Sequence, residues 1–163
     1  MKKTPNDSFQ KLKQDVKTLH LSTLTNQGKP NASYAPFVTD DTGSFYIFVS
    51  GLASHTQDLL SNPQASILLM QDEQETRQIF ARQRVSYQCD VGVVPKDEAT
   101  YPVMLDKLEE RFGSVINLLR GLSDFVLFKL TPYQGQFVMG FGKAFTLQGD
   151  GLLELEHIDP SKN

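Results

Sequence analysis

Apolar residues fall mostly in short alternating runs along this chain, and only a few stretches carry helical spacing. Phe9, Leu12, Val16 and Leu19 recur three and four residues apart. They predict an amphipathic N-terminal helix within residues 1–17, capped by Asp7 or Ser8. Leu19 to Thr25 then reads as a strand, and Asn26-Gln27-Gly28-Lys29-Pro30 as a turn. Strand-like runs follow at Ala32–Thr39 and Ser44–Ser50, joined by Asp40-Asp41-Thr42-Gly43, a hairpin signal. Ser54 to Pro63 predicts a short helix with Ser54 as N-cap, Leu59 and Leu60 inward, and Asn62-Pro63 as its stop. Ala65 to Met70 reads as a strand buried on both faces. After an acidic loop, Ile79 to Val94 alternates long enough for one extended strand. Phe80, Arg82, Arg84, Ser86 and Gln88 would share one face of it, with Gln83 interrupting the apolar face.

A helical insertion is predicted over residues 95–122. Pro95 opens it, Val103, Leu105, Leu108 and Phe112 form its stripe, and Gly113 ends its first part. Phe125–Leu130 and Gly135–Phe141 read as two strands turned by Thr131-Pro132-Tyr133-Gln134-Gly135, and Gly142 to Leu147 continues past a glycine bend. A tail covers residues 152–163. The expectation is therefore one domain, mainly β with inserted helices (α+β), in which about six antiparallel strands close into a small barrel.

Composition narrows the function classes. The chain has 163 residues, 39% hydrophobic and 21% charged, which suits a globular core. A net charge of −3 argues against a nucleic-acid-binding surface. The start MKKTPNDSFQKLKQDV lacks the apolar stretch of a signal peptide, and no run reaches the roughly 20 apolar residues of a membrane helix. A cytoplasmic protein without membrane contact is expected. The single cysteine, Cys89, lies in an alternating run and reads as a buried structural thiol. There is no Gly-rich phosphate loop, no paired-cysteine zinc spacing and no nucleophile elbow.

Several residues carry candidate chemistry. Arg82 and Arg84, on one strand face, would either grip phosphate or carboxylate oxygens in forked fashion or simply form a solvated face. Ser54, His55 and Thr56 sit where a helix begins, a place that favours an anion; a capping or surface histidine is the plain alternative. Ser33, Tyr34 and Ala35 offer small side chains and accessible backbone on a strand, equally compatible with a core. Asp124 precedes the apolar run Phe125-Val126-Leu127-Phe128, an unusual place for a poor strand former. His20, between Leu19 and Leu21, reads as structural.

Four segments carry a resemblance. They are Pro30-Asn31-Ala32-Ser33-Tyr34-Ala35-Pro36-Phe37; Ser50-Gly51-Leu52-Ala53-Ser54-His55-Thr56 through Asn62-Pro63; Phe80-Ala81-Arg82-Gln83-Arg84; and Glu110-Arg111-Phe112-Gly113 through Ser123-Asp124-Phe125 to Gly140-Phe141-Gly142. In order, from about Leu12 to about Leu152, they resemble the haem-utilisation (HugZ/HutZ-like) branch of the pyridoxamine 5'-phosphate oxidase-like, FMN-binding split-barrel superfamily. The resemblance implies a six-stranded antiparallel split β-barrel and a homodimer with two cofactor clefts between protomers. Unburied strand aromatics, including Phe37, Phe48, Phe137 and Phe141, are expected to add to that dimer interface.

In those clefts it implies haem, bound for iron utilisation and either degraded oxidatively, with an unidentified electron donor, or only carried. FMN and an oxidoreductase activity are the alternative. Ser33, Tyr34, Ala35, Ser54, His55, Thr56, Arg82 and Arg84 would line the cofactor, with Arg84 on the distal side of the iron. Asp124 would accept a hydrogen bond from the iron-ligating imidazole. The resemblance puts that ligand slightly beyond His157, and no histidine follows in Ile158–Asn163. His157 is therefore the candidate haem ligand.

Overall fold

The computed structural model describes residues 3–162. Helix α1 spans Pro5–Asp15. Its cap is Thr4, not Asp7 or Ser8. Thr4 Oγ1 accepts the Asp7 N–H at 3.1 Å, and the Asp7 carboxylate accepts the Thr4 N–H at 3.2 Å. This reciprocal box needs a short hydroxyl and a carboxylate three residues apart, and Pro5 fits the first helical position. Phe9 and Leu12 bury the inner face.

Nine strands follow: β1 Thr18–Leu24, β2 Pro30–Pro36, β3 Val38–Thr39, β4 Phe45–Ser50, β5 Gln64–Met70, β6 Arg84–Val93, β7 Phe125–Gly140, β8 Lys143–Gln148 and β9 Glu154–His157. They form one sheet in the order β2-β1-β5-β6-β7-β4-β3, with β8 on β7 and β9 on β8, every pair antiparallel. The sheet curls until β2 lies beside β4. Among the described residues the sheet therefore has nine strands rather than the expected six. The run 32–39 splits at Phe37 into β2 and the two-residue β3, and the tail adds β9, which pairs with β8 from Glu154 to His157. The predicted strands at 125–130 and 135–141 are one 16-residue strand.

Alternation sorts the side chains. Leu19, Leu21, Phe37, Phe45, Ile47, Ile67, Leu69, Val85, Tyr87, Phe128, Leu130 and Phe137 fill the inside of the curl. In β4 the intervening Tyr46 and Phe48 are buried too, because helices α3 (Thr100–Phe112) and α4 (Val115–Arg120) cover the outer face of β3, β4 and the first part of β7. Phe37, Phe48 and Phe137 are therefore buried within one chain, and only Phe141 stays exposed, so the other three contribute nothing to an interface. β5 is buried on one face only: Ala65, Ile67 and Leu69 point in, Ser66 points to solvent. α3 begins at Thr100 rather than Pro95, tolerates Pro102 in its first turn where no N–H is needed, and turns Met104 inward with Val103 outside. Gly113 ends it with φ 91°, a backbone open to glycine.

The predicted extended strand from Ile79 is also corrected. Ile79–Ala81 form a 3-10 turn, and pairing begins only at Arg84. Cys89 is buried in β6, and burial, with the charge of Asp90, pushes its thiol up to about 12. Among the described residues no helix is long and apolar enough to cross a membrane.

Candidate functional site

The predicted site residues gather in two places, at opposite ends of β7. The first is the junction of helix α2 (Ser54–Ser61) with the β1–β2 hairpin. Ser54 is not the cap; Ala53 holds that position, and no side chain caps the helix. Ser54 Oγ instead accepts a hydrogen bond from Asn31 Nδ2 at 3.0 Å. Thr56 is fully buried and donates its hydroxyl to Ser50 O. His55 is buried too, with Nδ1 2.8 Å from Ser33 Oγ and Nε2 enclosed without a partner among the described residues. Ser33 and Ala35 share the inner side of β2, whereas Tyr34 points outward and is 64% exposed.

Sequence reasoning missed the centre of this junction. Asp58 is buried and accepts 2.8 Å hydrogen bonds from Thr23 Oγ1 and Asn31 Nδ2. The available signal was a carboxylate beside Leu59 on the inward side of a short helix. Burial lowers the pKa of His55 below its ordinary value, and the nearby Asp58 carboxylate opposes that shift.

Asp124 belongs to the same end. Its carbonyl accepts the Gly51 N–H at 2.8 Å, and its Oδ2 accepts the Ser50 hydroxyl at 2.9 Å. A Cβ on residue 51 would stand 2.8 Å from Asp124 O, so the close approach of the two loops requires glycine there. Leu52, one residue on, is 92% exposed, and Leu122 is exposed nearby.

The second group lies where Arg84 pairs with Val138, toward the β7–β8 turn. Arg82 precedes β6 and does not share a strand face with Arg84. Its Nε donates to Gln71 O, and its guanidinium lies 3.6 Å from Glu73. Arg84 donates to Arg82 O at 3.0 Å. His157 is exposed on β9, opposite Phe145, with the ring edge-on to Phe145 at 5.3 Å and Nε2 3.0 Å from Gly142 O. Phe141, in the Gly-Phe-Gly turn, and Phe80 are exposed beside this end.

His157 and Asp124 therefore do not meet within one chain. Asp124 precedes the first residue of β7, and His157 is aligned through Phe145 with Phe137, twelve residues further along. At a strand rise of about 3.3 Å per residue the two are separated by up to roughly 40 Å along β7. His20 is on the outward face of β1, paired with Tyr34, and lines one cavity with Arg82, with no hydrogen bond to either group among the described residues.

Comparison with known proteins fits this architecture. Residues 6–139 match the pyridoxamine 5'-phosphate oxidase domain, and the chain belongs to that family. Within it the likeness is to the HutZ-like branch. The chain is 41% identical over 151 residues to the haem oxygenase HutZ of Vibrio cholerae, covering 93% of this chain and 85% of that protein. It is 31% identical over 134 residues to the chloroplastic non-canonical haem oxygenase HOZ of Arabidopsis thaliana, covering 80% of this chain and 39% of that one. The crystal structure of HutZ from Vibrio cholerae, described there as a haem storage protein, matches with a TM-score of 0.76 at 38% identity, over 82% of this chain and 92% of that one. That of Campylobacter jejuni ChuZ matches with a TM-score of 0.86 at 26% identity, over 100% of this chain and 66% of that one.

Proposed function

We propose that this protein binds haem for the use of its iron, in the cytoplasm, as a homodimeric split barrel whose two clefts each draw on both protomers. The observation that carries the proposal is the 41% identity to a haem oxygenase across 93% of the chain. The layout of the candidate residues supports it. A twofold axis places a surface against its own copy in reverse, so the Asp124 end of one protomer can face the His157 end of the other. Each end is half of a site. One offers a carboxylate among exposed leucines, the other an exposed imidazole among exposed aromatics.

The residues fit the group. A flat apolar macrocycle suits Leu52, Phe80 and Phe141, which are otherwise solvated. Bound haem would supply an iron centre able to take an imidazole ligand and to react with oxygen when reduced by a donor. His157 Nε2 is free for that role once its single exposed hydrogen bond to Gly142 O is released. The other ring nitrogen then needs an acceptor, and the partner protomer's Asp124 carboxylate provides one, fixing the tautomer. Arg84, with Arg82, offers guanidinium groups for anionic edges or the distal side. Ser33 would stand nearest the ring, buried Ala35 packs in the core behind it, Tyr34 presents an exposed aromatic on the other face of β2, and the α2 junction holds Ser54, His55 and Thr56 in place.

Two names among the relatives, haem oxygenase and haem storage protein, frame whether haem is broken down or only carried. The rival cofactor is FMN, which belongs to the wider superfamily. Absorbance spectroscopy of the purified protein separates them. Added haem should give a Soret band that survives gel filtration, while added FMN should wash off. A yellow protein that retains FMN and gives no Soret band would overturn the proposal.

A further inference from the structure

We infer that Ser50 is a positioning residue for the Asp124 carboxylate; this deepens the proposal that Asp124 serves the haem-ligating imidazole and rests on it. Ser50 closes β4 and pairs with Phe125, the residue after Asp124, so register alone brings the two side chains to one edge. The hydroxyl is then committed in both senses. It accepts the Leu52 N–H at 3.1 Å and donates its proton to Asp124 Oδ2 at 2.9 Å. A hydroxyl that accepts one N–H keeps its proton to donate, and the carboxylate oxygen lies within its reach.

The serine itself is held from behind, because its carbonyl accepts the hydroxyl of fully buried Thr56. The Asp124 backbone is pinned separately by the Gly51 N–H at 2.8 Å. One hydrogen bond thus reaches the carboxylate, and the Leu52, Thr56 and Gly51 contacts hold Ser50 and the Asp124 backbone on either side of it. Among the described residues, Asp124 Oδ1 accepts no hydrogen bond, and it is the oxygen left to face an imidazole N–H. The chain behind this arrangement is continuous, Thr56 to Ser50 to Asp124, so the α2 junction and the carboxylate are mechanically one unit. Ser50 touches neither haem nor imidazole in this account. It acts by setting which carboxylate oxygen is free and where it points.

The test compares Ser50→Ala, Ser50→Thr and Asp124→Asn by resonance Raman of the ferrous haem complex, reading the iron–histidine stretching band, alongside haem titration. Ser50→Ala should move the band part of the way that Asp124→Asn moves it, and haem affinity should fall by no more than about tenfold, the worth of one ordinary hydrogen bond. Ser50→Thr keeps the hydroxyl and should restore the band. In the haem-free protein, the Leu52 amide should exchange faster in Ser50→Ala only. A Ser50→Ala band identical to the unsubstituted one, while Asp124→Asn is shifted, would overturn the role of Ser50 and leave that of Asp124 standing. An unshifted band in Asp124→Asn would overturn both.

Discussion

Asp58 is the acceptor on which the α2 junction depends. Its carboxylate is buried and holds the Thr23 hydroxyl and the Asn31 amide, each at 2.8 Å. Asp58→Ala leaves both donors without that acceptor, at a cost of about 1–3 kcal/mol for an unmet buried group. Denaturant unfolding should show a lower midpoint with an unchanged slope. His55 beside it makes stability depend on pH. Burial holds its folded pKa below the ordinary 6.5, so the unfolded chain binds the extra proton first. The stabilisation from neutral His55 is complete above about 6.5 and declines as pH falls through that value toward the lower folded pKa. The melting temperature should therefore drop on acidification, and His55→Gln, which keeps a polar partner for Ser33 without a titrating ring, should flatten that drop. Ser54, His55 and Thr56 were legible in the sequence as a cluster for an anion, and Ser33 separately as a small strand residue, but not their contacts with one another. Asp58, Thr23 and Asn31 were not, because Thr23 and Asp58 are 35 residues apart and local spacing carries no trace of such a contact.

β7 shows why a strand was read as a hairpin. Thr131-Pro132-Tyr133-Gln134-Gly135 has turn composition, yet the strand runs through it. The register with β6 shifts there: Gln88 faces Gln134 and Cys89 faces Pro132, leaving Tyr133 as an extra residue. A bulge of this kind absorbs the proline, which has no N–H for a ladder. Gly135 is equally specific. A Cβ there would lie 2.8 Å from Leu147 Cδ1 and 3.0 Å from Ser86 O. Gly135→Ala should destabilise by about 1–3 kcal/mol through overpacking, read as a lower thermal midpoint. Where alternation was uninterrupted, as in the body of β6, element and buried face were both legible; β1 and β4 were legible as elements, and β4 is buried on both faces. Alternation failed as a guide at Ile79–Gln83, where alternating composition continues beyond the last paired residue and only the missing partner strand stops it.

At the scale of the molecule, β7 carries its two candidate ends too far apart to act together in one chain. Family resemblance pointed to His157 and Asp124 as a pair, and spacing could not say that folding keeps them apart within one chain. The arginines, the imidazole and the exposed aromatics lie at one end; the carboxylate and the α2 junction lie at the other. The proposed site is shared between protomers, and subunit mixing tests that sharing. His157→Ala and Asp124→Ala are each expected to lose the native haem spectrum. A mixed dimer of the two would hold one site lacking both residues and one site with both intact. After the variants are unfolded and refolded together, the native Soret band should return in the mixture. A mixture whose spectrum is the plain sum of the two variants alone would contradict the shared site.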